Sequence, residues 1–102
     1  MARVTYKVVV TGLVHGVGFR ASMRDMALGY GVKGWVRNRG DGSVEALVQG
    51  EAAQVAGLLE WARVGPPGAQ VTSVEAHALE GFPPQTRFSV LVEDWQTGPA
   101  NR

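Results

Sequence analysis

The sequence predicts an α+β fold with the element order β-α-β-β-α-β, and two observations carry that prediction. Apolar residues alternate with a period of two in several short runs, and in two longer runs they recur at helical spacing. Clusters of glycine and proline separate these runs at the places where a chain must turn. At 102 residues the chain is expected to form one domain over residues 1–102. A chain of that length buries well over half of its unfolded surface without disulfide or metal support.

Residues 4–10 are β-branched and aromatic, with Val4, Tyr6, Val8 and Val10 on one parity, so they predict a largely buried strand. A loop holding Gly12, Gly16 and Gly18 follows. From Phe19 the period changes, and Phe19, Met23, Met26, Ala27 and Tyr30 share one helical face. That helix is expected to stop at Gly29 and Gly31. Residues 32–38 and 43–49 predict a hairpin around the turn Arg39-Gly40-Asp41-Gly42. In its second strand Val44, Ala46 and Val48 share one face, with Glu45 and Gln49 on the other. Residues 51–63 predict a second helix with Ala52, Val55, Leu59 and Ala62 as its apolar stripe and Trp61 off that stripe, partly exposed. Glu51 is expected in its first turn and Arg63 in its last, each matched to the helix dipole. Gly65-Pro66-Pro67-Gly68 ends it. Residues 71–79 predict a fourth strand, and residues 87–93 admit a short fifth strand at an edge. Residues 97–102 read as a loose tail. This order is the split βαβ, ferredoxin-like plan, an antiparallel sheet with both helices on one face.

Composition removes several function classes. The chain has no cysteine, which excludes a disulfide framework, a thiol nucleophile and a thiolate zinc site. His15 and His77 are its only imidazoles, too few for a histidine-built metal centre. No apolar run is long enough to span a bilayer and no signal-peptide pattern opens the chain, so the default reading is cytoplasmic. The net charge of +1 hides an asymmetry. Residues 12–40 hold five basic residues and the single acid Asp25, and the remainder holds five basic and eight acidic residues. A basic segment around a glycine loop suits a small anionic partner.

The glycine loop leads straight into a helix N-terminus, where free N–H groups and the dipole favour negative charge. Glycines let successive N–H groups turn inward around an anion, and Arg20 stands at the junction with a guanidinium that can hold two phosphate oxygens. The residues fit a phosphate-sized site and a plain glycine turn with a surface arginine equally well. The crossover adds a second element. If strands one and two run in the same direction, their C-terminal ends lie together, and Asn38 shares the parity of Val36. Asn38 is then expected to face the loop. The loop lacks the Lys-Ser/Thr that completes a nucleotide-triphosphate P-loop, and its glycine spacing is wrong for a dinucleotide fold. Lys33-Gly34-Trp35-Val36 lacks the second aromatic platform that an RNA-binding sheet needs.

Two stretches make the sequence similar to the acylphosphatase family. One is Val10-Thr11-Gly12-Leu13-Val14-His15-Gly16-Val17-Gly18-Phe19-Arg20. The other is Gly34-Trp35-Val36-Arg37-Asn38-Arg39-Gly40-Asp41-Gly42-Ser43-Val44, with Gly50 in register. The match extends from about residue 4 to residue 92, and its one departure is His15, where the family motif has glutamine. By this resemblance the expected activity is hydrolysis of the carboxyl–phosphate bond of small acyl phosphates, with no metal or other cofactor. The backbone N–H groups of His15, Gly16, Val17, Gly18, Phe19 and Arg20, with the Arg20 side chain, would bind the phosphoryl group. Asn38 would orient the attacking water. Inorganic phosphate is expected as product and competitive inhibitor, and the protein as a monomer with no nucleic-acid or membrane partner. His15 itself is expected to be an exposed loop residue, and His77 a surface residue.

An alternative is an acyl- or carbamoyl-phosphate-binding module related to a larger carbamoyltransferase. The chain ends soon after its last element, which favours a free-standing enzyme.

Overall fold

The alternation of residues 4–10 builds an interior strand of the sheet in the computed structural model, which describes residues 2–91. Strand β1 (Arg3–Leu13) buries Val8 and Val10 completely. It runs three residues beyond the expected end at Val10, through Gly12, so the loop begins at Val14. The pairing between β1 and β4 (Gln70–Ala78) shifts register at Thr11/Gly12. Gly12 takes φ 124 there, where any Cβ would run into the backbone of Gln70 and Thr72. Glycine thus continues the strand through a bulge instead of ending it.

Helix α1 (Phe19–Tyr30) buries Phe19, Met23 and Ala27, with Met26 and Tyr30 flanking the core. Gly29 lies inside its last turn. Gly31 alone ends the helix, in the left-handed region at φ 74, and the Val32 N–H closes back on the Ala27 carbonyl at 2.8 Å. The hairpin of β2 (Lys33–Asn38) and β3 (Val44–Glu51) is closed by the Arg39 N–H donating to the Ser43 carbonyl at 2.8 Å.

Helix α2 (Ala52–Ala62) is rotated from the expected stripe. Val55, Leu58 and Ala62 are buried, Leu59 is half-buried and Ala52 is exposed. A leucine contributes about 1.5–3 kcal/mol on full burial and an alanine much less, so Leu58 decides the facing. Glu51 and Arg63 stand at the N-cap and C-cap, just outside the helical turns in which they were expected. Trp61 is half-buried, and its ring lies 5.2 Å from that of Phe19 at 49°.

The sheet order is β4-β1-β3-β2-β5, with β5 spanning Phe88–Val90. β1 and β2 are both antiparallel to β3 and therefore run in the same direction. β5 pairs with β2 in parallel, so the sheet is mixed and not wholly antiparallel. The reason is topological. β4 ends where β1 and β2 begin, and residues 79–87 cross to the far edge at that same end. Gln49, 3 % exposed, secures this connection. Its Nε2 donates to Thr5 Oγ1 and the Pro83 carbonyl, and its Oε1 accepts the Gln85 N–H at 2.7 Å. Residues 92 and 93 of the expected fifth strand, and the expected tail over residues 97–102, lie outside the described residues.

The two helices pack over the face that carries Val8, Val10, Val36, Val44, Ala46 and Val48. The opposite face holds a buried charge. Glu45 is 3 % exposed and meets Lys7 Nζ at 2.8 Å, Arg37 Nε at 2.7 Å and Arg37 Nη2 at 2.6 Å. Burial pushes its carboxyl up, but the hydrogen bonds and charges of Lys7 and Arg37 outweigh burial and hold it below the ordinary value of 4.5. Among the described residues no helix is long and apolar enough to cross a membrane.

Candidate active site

The parallel run of β1 and β2 puts their C-terminal ends side by side. From β1 leaves the loop of residues 14–18, and β2 ends at Asn38. Val14, 1 % exposed, anchors the start of the loop in the core, and Phe19, 2 % exposed, anchors its exit. Between them Gly16 and Gly18 take φ 74 and φ 76, and no atom lies within 4 Å of a Cβ built on either. Left-handed backbone, not packing space, therefore requires glycine at both. Gly18 is the N-cap of α1 and, having no side chain, offers the first-turn N–H groups no cap from that position. This is the arrangement in which a loop and a helix end bind an anion.

Asn38 is 7 % exposed and faces the loop, as its shared parity with Val36 predicts. Gly16, Gly18, Phe19, Arg20 and Asn38 line one cavity of about 230 Å³, together with Val14, Ala21 and Val90. The structure thus brings together residues 18 positions apart. Arg20 is half-buried, and its Nη1 donates to the Leu91 carbonyl at 3.4 Å. Among the described residues that line the cavity, Arg20 is the one charged group. Among the described residues no carboxylate or imidazole lines it. Among the described residues no three His, Cys, Asp or Glu side chains cluster as a metal would require.

Two residues of the loop do not line the cavity. Val17 turns toward Gly68, where an added Cβ would lie 3.6 Å from its Cγ1. His15 is half-buried and not the exposed residue expected, and its Nε2 lies 2.8 Å from the Ser43 carbonyl oxygen. The backbone of both still belongs to the loop. His77 is exposed, as expected. Val90 was not foreseen in the cavity wall. Its parity with Phe88 was the available signal, but the direction of β5 was needed to use it.

A larger cavity, about 510 Å³, opens at the other end of β1 between Arg3, Tyr6, Gln49 and Phe82. It holds neither the loop nor Asn38, and size alone does not locate chemistry.

A family model described as Acylphosphatase matches residues 6–90. The acylphosphatase of Albidiferax ferrireducens is 58% identical over 81 residues, covering 79% of this chain and 88% of the relative. The crystal structure of acylphosphatase from Bacillus subtilis superposes with a TM-score of 0.84 at 33% identity, covering 86% of this chain and 98% of that one. HypF of T.kodakarensis shares the fold at a TM-score of 0.77 and 26% identity, over 91% of this chain but 12% of that one.

Proposed function

The chain belongs to the acylphosphatase family and is a hydrolase acting on acid anhydrides; from that premise we propose how its residues divide the work. The N–H groups of residues 15–20 and the Arg20 guanidinium bind the phosphoryl oxygens of a small acyl phosphate. The Asn38 amide holds a water in line with the phosphorus, using its capacity both to donate and to accept. The water oxygen forms a bond to phosphorus as the bond from phosphorus to the carboxyl oxygen breaks. The carboxylate leaves with the electron pair, and the water proton passes to a phosphoryl oxygen.

A protein base is not needed on this route. The carboxylate is a good leaving group, and a loose phosphoryl transition state chiefly needs positioning and charge stabilisation. The observation that carries the proposal is the shared cavity of about 230 Å³, where Arg20 and Asn38 flank a helix N-terminus opened by two left-handed glycines. Its size suits a phosphoryl group with the acyl part projecting outward, which supports broad acceptance of acyl groups.

Steady-state hydrolysis of benzoyl phosphate tests these roles. Arg20→Ala should lose about 10²-fold or more in rate, the scale seen when a key oxyanion donor is removed. Inorganic phosphate should also cease to compete. Near wild-type hydrolysis by this variant would overturn the assignment. Turnover should persist in EDTA, whereas phosphate binding without turnover would favour a binding module. We further propose that the protein acts as a single-domain monomer in the cytoplasm, which sedimentation at several concentrations and cell fractionation test.

A further inference from the structure

The proposed machinery is split between two segments, the loop at residues 14–20 and the strand end that carries Asn38. Their spacing must be held closely, because a misplacement of about 1 Å can cost about 10²-fold in rate. The His15 side chain joins the two. Its Nε2 lies 2.8 Å from the Ser43 carbonyl oxygen. A carbonyl only accepts, so Nε2 donates, and the neutral ring carries its proton on that nitrogen.

The acceptor sits on a rigid piece of backbone. The same Ser43 carbonyl takes the Arg39 N–H at 2.8 Å, and Arg39 directly follows Asn38. Val44, the next residue after Ser43, is the register partner of Asn38. Ser43 is 4 % exposed, and the Asp41 carboxylate accepts both its N–H at 2.9 Å and its Oγ–H at 2.6 Å. One chain of hydrogen bonds therefore runs from Asp41 through Ser43 to His15. On the loop side, His15 lies between Val14, anchored in the core, and Gly16, which lines the cavity.

We propose that His15 is a positioning residue: its Nε2–H bond to the Ser43 carbonyl fixes the phosphate-binding loop against the strand end that carries Asn38, and so sets where the attacking water stands relative to the phosphoryl group. The proposal rests on the roles given above to the loop and to Asn38. His15 does not line the cavity and takes no part in the bond changes.

The test compares His15→Ala, His15→Gln, Asn38→Ala and the double variant His15→Ala/Asn38→Ala. Benzoyl phosphate gives kcat and KM, inorganic phosphate gives the inhibition constant, and urea unfolding reports the fold. His15→Ala should lower kcat about tenfold and leave phosphate inhibition within about threefold, because the loop N–H groups and Arg20 remain. His15→Gln, whose amide N–H reaches the same carbonyl, should recover most of kcat. In the Asn38→Ala background, His15→Ala should cost less than about twofold further, since the water it helps to place is already lost. If the alanine variant is unstable, His15→Asn repeats the test with an amide too short to reach Ser43. A folded His15→Ala with wild-type kcat, a His15→Gln as slow as His15→Ala, or effects that multiply in the double variant would each overturn the proposal. Slow Asn38→Ala beside fully active His15→Ala overturns this proposal alone. Full turnover in Asn38→Ala overturns the water assignment and this proposal with it.

Discussion

Replacing Glu45 by glutamine keeps its shape and removes its charge, which is also what protonation does. Glu45 is buried, yet its carboxylate meets two cations over three contacts of 2.6 to 2.8 Å. A hydrogen bond to a charged group contributes about 1.5–3 kcal/mol and a neutral one about 1 kcal/mol, so two partners lose about 2 kcal/mol together. Burial opposes this, because a neutral amide is less costly to desolvate than a carboxylate. The carboxyl nevertheless sits below its ordinary value, so the attractive side prevails. The expected loss at pH 7 is about 1–2 kcal/mol, or a fall in Tm of about 4–15 °C for a domain of this size.

The sign of the pH dependence follows from the same shift. A carboxyl whose folded pKa is depressed contributes stability that is present above its unfolded pKa. That stability is lost as pH falls through the folded pKa. Wild type and Glu45→Gln should therefore differ by the full amount at pH 7. They should converge as pH drops below 4.5, the ordinary value for this group. Urea unfolding of both proteins between pH 7 and pH 3 measures it. A variant as stable as wild type at pH 7, or one whose deficit stays constant down to pH 3, would refute the reasoning.

Other outcomes follow from single positions. Asn38→Ala should lower kcat with little change in KM if the amide places water instead of binding ground-state substrate; a normal kcat with a raised KM would contradict this. Gly34→Ala should destabilise by about 3 kcal/mol or more in chemical denaturation, since Gly34 has φ 140 and a Cβ there would overlap the Leu47 carbonyl. Leu58→Ala should cost about 2–5 kcal/mol, whereas Ala52→Ser should change the unfolding midpoint little, because Leu58 is fully buried and Ala52 exposed.

Much of the fold was legible because local patterns repeat the tertiary demand. Val8 and Val10, and Met23 and Ala27, face the core because their spacing matches a strand and a helix. The pairing of Arg20 with Asn38 was legible too, since one crossover and one parity suffice to bring the two together. The misreadings share a cause. Ala52, Leu58 and Leu59 all fit a helical stripe, and the packing of α2 against the sheet, with Leu58 buried, chose among them. The regular alternation put Glu45 on the face opposite Val44 and Ala46, but not its burial, which comes from Lys7 and Arg37 on the flanking strands closing over it. Gly12 looked like the start of a loop because the bulge that absorbs it depends on β4, about 60 residues later.

By itself the sequence determined the elements, their order, the glycine loop that opens the first helix and the two polar residues that share the cavity. These depend on periodicity and backbone sterics, which act over a few residues. Only the tertiary structure decided that β5 runs parallel to β2, that Val90 completes the cavity wall and that His15 reaches Ser43 across 28 positions. Those features depend on which end of the sheet a connection crosses and on which side chains then meet. No local pattern encodes such meetings, because each is set by the packing of segments far apart in the chain.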